Sequence, residues 1–196
     1  MDKSAIRKLK RKMARLGART GDDALVKRTG FSAKVGERGE TIFRPGDLGE
    51  VEHIIDDLEA FYIYLWSAKD HLGELLAKTV TSRKVAFKMV EDYVDRHQSL
   101  KIVADVANTA KHGELRNSRT GKYIKLGGYV TSMPVGWPWE SQATIEKKIA
   151  RDAKAFISLE DVDGKVIGDA VEVAANAADA WGQFIALHHL ANKRTA

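Results

Sequence analysis

The sequence predicts an α+β chain, mainly helical, built as a four-helix bundle with small antiparallel β-hairpins inserted before the last helix. Three observations point there. Apolar residues recur at 3,4 spacing through three consecutive segments between residues 47 and 112, and again near the C-terminus. After Gly113 the period changes to two, and Gly127-Gly128 and Asp163-Gly164 punctuate short apolar runs. Only short links join the three central helices, so antiparallel neighbours are their natural packing. A chain of 196 residues is long enough for one well-buried core and short of two full domains.

In residues 1–20, Ile6, Leu9, Met13 and Leu16 form an apolar edge with basic side chains between them. Eight Lys/Arg against Asp2 give this arm a charge of +7, while residues 21–196 hold 24 basic and 26 acidic side chains, a net of −2. The division is therefore a basic amphipathic arm, 1–20, and a single helical domain with inserted hairpins, 21–196. Arg7, Lys8, Arg11, Lys12 and Arg15 are candidates for holding phosphates of RNA or another nucleic acid. The competing reading is a solvated helix packed by its apolar edge, since no aromatic is interleaved to stack on bases.

Phe31 to Val35 and Thr41 to Arg44 suit two short strands around Gly36-Glu37-Arg38-Gly39. Asp47 with Glu50 has the form of a capping box. Leu48, Val51, Ile54, Ile55, Leu58, Phe61, Tyr62, Leu65, Leu72, Leu75 and Leu76 then make one broad stripe. Lys69 interrupts it. A buried ammonium needs a partner, and a lysine at such a position commonly snorkels out of the seam. A second helix is expected from Ser82 or Arg83 to Arg96, with Ala86, Phe87, Val90, Tyr93 and Val94 inward. A third, from about Ser99 to His112, buries Leu100, Val103, Val106, Ala107 and Ala110. Lys101, Asp105, Asn108 and His112 form a polar row on its opposite side, and Gly113 stops it. A hairpin turning at Gly127-Gly128 follows, then an aromatic loop from Met133 to Trp139 and a weak helix over 141–152. A second hairpin turns at Asp163-Gly164. Asp169 with Glu172 caps a last helix to about Leu190, with Ala174, Ala177, Ala178, Trp181, Phe184 and Ile185 inward.

The chain has no cysteine, so neither a disulfide framework nor a thiolate metal site is available. The start lacks the apolar core of a secretory signal, and no apolar run reaches the ~18 residues of a membrane span. A cytoplasmic protein without a membrane partner is the expectation. No nucleophile elbow, phosphate-binding glycine loop or His-Glu-x-x-His motif occurs. Histidines stand at 53, 71, 97, 112, 188 and 189 without metal-ligand spacing, so no metal or other cofactor is expected.

The candidate site is the end of the third helix. His112 can exchange protons near neutral pH. Asn108, one turn before it, could orient the ring, and Asp105 lies two turns back in the same row. Lys111 on the flank could hold a phosphate. Lys69 and His71 join them if folding brings both to the same cleft. The alternative is an ordinary polar helix end, because Lys and His in a last turn suit the helix dipole.

Ala107-Asn108-x-x-Lys111-His112, followed by strands and a last helix with a central Trp181, resembles an element of uncharacterised bacterial and phage-borne helical proteins. These are loosely similar to the HEPN class of four-helix bundles, and the likeness spans roughly residues 47–190. It implies a homodimer and, for the catalytic members, metal-independent RNase activity in toxin–antitoxin and phage-defence systems. HEPN RNases carry an Arg four to six residues before a His; here Lys111 beside His112 is the nearest counterpart. Three functions follow as expectations: a non-catalytic interaction module with a protein partner, an RNase using His112, Lys111 and Asn108, or a nucleic-acid-binding accessory protein acting through the arm.

Overall fold

A computed structural model describes residues 48–80, 82–113, 117–132 and 154–188, with residues 11, 32–35, 41–44, 190 and scattered positions between 140 and 151. Two short strands, β1 (Ser32–Val35) and β2 (Thr41–Arg44), pair antiparallel as expected. Three helices follow: α1 (Leu48–Ala77), α2 (Arg83–Arg96) and α3 (Gln98–His112). A three-stranded antiparallel sheet in the order β3 (Lys125–Ser132), β4 (Lys154–Glu160), β5 (Val166–Asp169) leads into α4 (Ala170–Leu187). The chain is thus α+β, mainly helical, with its sheet inserted before the last helix.

Local chemistry explains the boundaries. Ser82 caps α2 by accepting a hydrogen bond from the Val85 amide. Asp169 caps α4 by accepting from the Val171 and Glu172 amides, as the capping pattern predicts. Gly113 ends α3 at φ 73°, with its N–H donating to Thr109 O. Asp47 and the 133–139 loop lie outside the described residues, and the 141–152 segment is helical at its described positions 143, 144, 147, 148 and 151.

The α1 stripe builds the centre of the core, with Leu58, Tyr62, Leu65 and Leu72 fully buried. From α3 come Val103, Ala104 and Ala107, and from α4 Ala174, Ala177, Trp181 and Phe184. Small residues on both helices let them pack closely, the arrangement their alanines predict. Three side chains tie α4 to the bundle by hydrogen bonds to backbone carbonyls. Tyr62 Oη donates to Ala170 O (2.7 Å), Tyr93 Oη to Ala180 O (2.8 Å) and Trp181 Nε1 to Leu65 O (3.0 Å). Burial pushes the Tyr62 phenol well above its ordinary value, with the nearby Asp169 charge adding to the effect.

One expected element is different. Gly127-Gly128 is not a turn but a bulge within β3, which continues through it and pairs with β4 on both sides. The reason is steric. A Cβ on Gly127 would overlap the Glu160 carboxylate and the Ser158 hydroxyl, which pack under that point of the strand. The hairpin that does form is β4–β5, closed by Val162-Asp163-Gly164 with Gly164 at φ 77°. The last helix also ends at Leu187, short of the expected Leu190, with Leu190 folded back to donate to Ile185 O.

Candidate functional site

Asp105 sets the local structure. It stands in the predicted polar row of α3, yet it is fully buried. The row is therefore not a solvent-facing stripe, because the segment 117–122 lies across it. Oδ2 of Asp105 accepts from Ser118 Oγ and Thr120 Oγ1, each at 2.5 Å, and from the Thr120 amide at 3.3 Å. Oδ1 accepts from the Arg119 amide at 2.7 Å. A buried carboxylate with donors on both oxygens is satisfied in place, and these bonds fix the loop.

Fixing the loop aims Arg119 across the bundle. Its guanidinium donates to Glu91 Oε2 (2.5 Å) and Asp95 Oδ1 (3.1 Å) on α2 and lies 5.0 Å from the Trp66 ring on α1. Lys69, the break in the apolar stripe, reaches the same carboxylate from the other side. Its Nζ donates to Glu91 Oε1 at 2.8 Å and sits 4.5 Å over Trp66. Lys69 therefore has a defined partner rather than a snorkelling course; its side chain is 17% exposed, against 69% for neighbouring Asp70. The network Lys69–Glu91–Arg119 joins α1, α2 and the loop pinned by Asp105.

Burial opposes ionisation of Glu91, but the hydrogen bonds and charges of Lys69 and Arg119 outweigh it and hold the carboxyl below its ordinary value of 4.5. A depressed carboxyl stabilises the fold above the unfolded-state value and loses that contribution as pH falls through the folded-state value. Thermal melts from pH 7 to pH 3 should show an acid-side loss that is smaller in Glu91→Gln. At pH 7 the substitution should cost about 1 kcal/mol, because solvent screens a half-exposed cluster. Parallel acid profiles for the two proteins would contradict this assignment.

The other candidates lie apart from this network. His71, two positions beyond Lys69 and so turned to another side of α1, is exposed. Asn108 is half-buried, and Lys111 and His112 are exposed in the last turn of α3. None of these four side chains bonds to another described residue. Arg11 is helical and exposed; Arg7, Lys8, Lys12 and Arg15 lie outside the described residues. Among the described residues, no three His, Asp or Glu side chains gather as a metal site would require. Folding thus brings Lys69 together with Asp105 through Glu91 and Arg119, and leaves the imidazole of His112 outside.

Comparison with family models, with curated proteins and with solved structures gives no match. Trp66, Glu91, Asp95, Ser118, Arg119 and Thr120 were not expected at the site. The one local signal was Ser118-x-Thr120 directly before Gly121, two hydroxyls spaced to grip a single acceptor.

Proposed function

We propose that this chain is a non-catalytic helical interaction module of HEPN-like type, acting as a homodimer in phage–host conflict. The supporting observation is how the candidate groups are used. Asp105 is saturated by the 118–120 loop and Lys69 is neutralised by Glu91. His112 has no described group bonded to its ring. General acid–base catalysis requires a proton-exchanging group held in a fixed relation to a second functional group. Among the described residues nothing gives the His112 imidazole that support on its exposed last turn, and Lys111 cannot supply the bidentate grip of the arginine in HEPN RNases.

The test is incubation with mixed single-stranded RNA in EDTA at micromolar protein. The native chain should leave the RNA intact and match His112→Ala, while light scattering on the same sample reports a dimer. Cleavage that His112→Ala abolishes would replace this reading with a metal-independent RNase, and a strict monomer at high concentration would remove the homodimer.

A further inference from the structure

The first half of α1 carries charge of one sign. From Asp47 to Ala68 the chain holds six carboxylates and no Lys or Arg. Glu52, Asp56 and Glu59 stand at i, i+4 and i+7 of one unbroken helix, so they share a face and span about 11 Å. Asp56 is about half a turn round from Leu58 and Leu65, so the row faces away from the core those residues build. Glu52 and Asp56 are exposed, Glu59 is half-buried, and none of the three forms an ion pair with a described residue. Two half-buried isoleucines, Ile55 and Ile63, border the row. Carboxylates in a first turn suit the helix dipole, but Asp56 and Glu59 lie beyond the second turn and repel one another there.

The described helices do not answer this charge. Lys69, the one cation of α1, is held by Glu91, and α4 has no Lys or Arg. The Glu74–Arg83 and Lys69–Glu91 pairs set α2 antiparallel to α1. That register puts the last cation of α2, Arg96, level with Ile63 and Tyr64, past the carboxylates. α3 packs on the core side of α1 through Val103, Ala104 and Ala107.

The chain itself contains the complementary segment. Residues 1–20 carry +7, and their apolar edge of Ile6, Leu9, Met13 and Leu16 needs cover. As a helix that edge is about 15 Å long, against about 12 Å from Ile55 to Ile63. Lys10 and Lys12 flank the edge on either side, with Lys3 and Arg19 behind them, whereas Arg7, Arg11 and Arg15 fall opposite it. Arg11 is helical and exposed, as a residue on that outer side would be. Residues 21–47 tie the arm to the same helix, and tethering of this kind gives a local concentration of order millimolar.

We propose that residues 1–20 dock as a helix on this outer face of α1. The apolar edge would seat on Ile55 and Ile63, and Lys10 and Lys12, with Lys3 and Arg19, would pair with Glu52, Asp56 and Glu59. Docked so, the arm keeps Arg7, Arg11 and Arg15 in an outward row, about 6 Å apart along the helix. The pairs lie at the surface, so salt loosens them. The inference goes beyond the interaction-module reading and does not depend on it.

The test is amide hydrogen exchange of the full chain, read over residues 5–16 by mass spectrometry. An isolated helix of this length is marginal in water, so the amides of an undocked arm exchange at nearly the free-peptide rate. In the native chain at low salt they should exchange at least about tenfold more slowly, and about 0.5 M NaCl should remove most of that protection. The triple variant Glu52→Lys, Asp56→Lys, Glu59→Lys should lose it as well, with exchange in α4 unchanged as the sign that the bundle is intact. Adding Lys3→Glu, Lys10→Glu, Lys12→Glu and Arg19→Glu to the triple variant should restore it, which general damage to α1 would not allow. The proposal is overturned if the native arm is unprotected, if protection survives the triple reversal, or if the compensating reversal fails to restore it. It is equally overturned if protection grows with protein concentration, which would place the arm on a second copy. Protection that appears only with oligo-uridine RNA would overturn it too, by making nucleic acid the occupant.

Discussion

Replacing Asp105 by Ala should cost about 3 kcal/mol, a fall in Tm of roughly 6–12 °C for a domain of this size. The carboxylate accepts four hydrogen bonds, two from backbone amides and two from hydroxyls. With it gone, the Arg119 and Thr120 amides face an apolar helix surface. Either they stay unpaired or the loop lifts to find water. The second course is cheaper and has a visible signature. Trypsin should cut at Arg119 or Lys122 in the variant under conditions that leave the native loop intact, while helical circular dichroism is retained. Asp105→Asn should be milder, at about 2 kcal/mol, because one oxygen still accepts while the new NH2 meets donors. A variant as stable as the native chain would mean that Asp105 does not hold the loop. It would also reopen a catalytic role, since chemically employed carboxylates are seldom the ones that stabilise a fold.

This bond set also shows where reading the sequence stops. Helix faces and caps depend on residues within a few positions of one another. The α1 and α4 stripes, the start of α2 near Ser82, the Asp169 cap and the Gly113 stop were therefore legible. What a polar residue meets depends on chain that returns from far away. Asp105 and His112 share one periodic row, but the loop thirteen to fifteen residues further on covers only the first. Lys69 could be marked as an anomaly, yet Glu91 lies twenty-two residues away on another helix. Gly127-Gly128 read as a turn because glycine pairs often are one. Its real cause, the Ser158 and Glu160 side chains beneath the strand, belongs to the neighbouring strand and leaves no mark near residue 127. Nothing adjacent in sequence encodes the left-handed backbone of Tyr123 (φ 53°), whose amide donates to Ser118 Oγ while the preceding Lys122 carbonyl accepts from the Val162 amide.

Trp181→Ala should be the most damaging single change in the bundle, at about 4 kcal/mol, measured as a lowered midpoint in urea with an unchanged slope. Trp181 is fully buried, and its ring lies 6.2 Å from Tyr93 and 6.1 Å from Phe184, centroid to centroid. How much a truncation costs depends on whether neighbours can move into the void. Here Ala174, Ala177 and Ala178 line the same face of α4, and alanines have no side chain to extend. The partners on α2 are constrained too, because Tyr93 is tethered through its hydroxyl to Ala180 O. The cavity therefore persists, and the cost falls at the upper part of the range for large-to-small changes. Trp181→Phe separates packing from hydrogen bonding. It keeps most of the ring but removes the donor to Leu65 O, an interior helix carbonyl that retains its own helical partner. A cost of about 2 kcal/mol is expected, most of it from lost volume. If Phe proved as harmful as Ala, the indole N–H rather than the packed ring would be what secures α4 to α1.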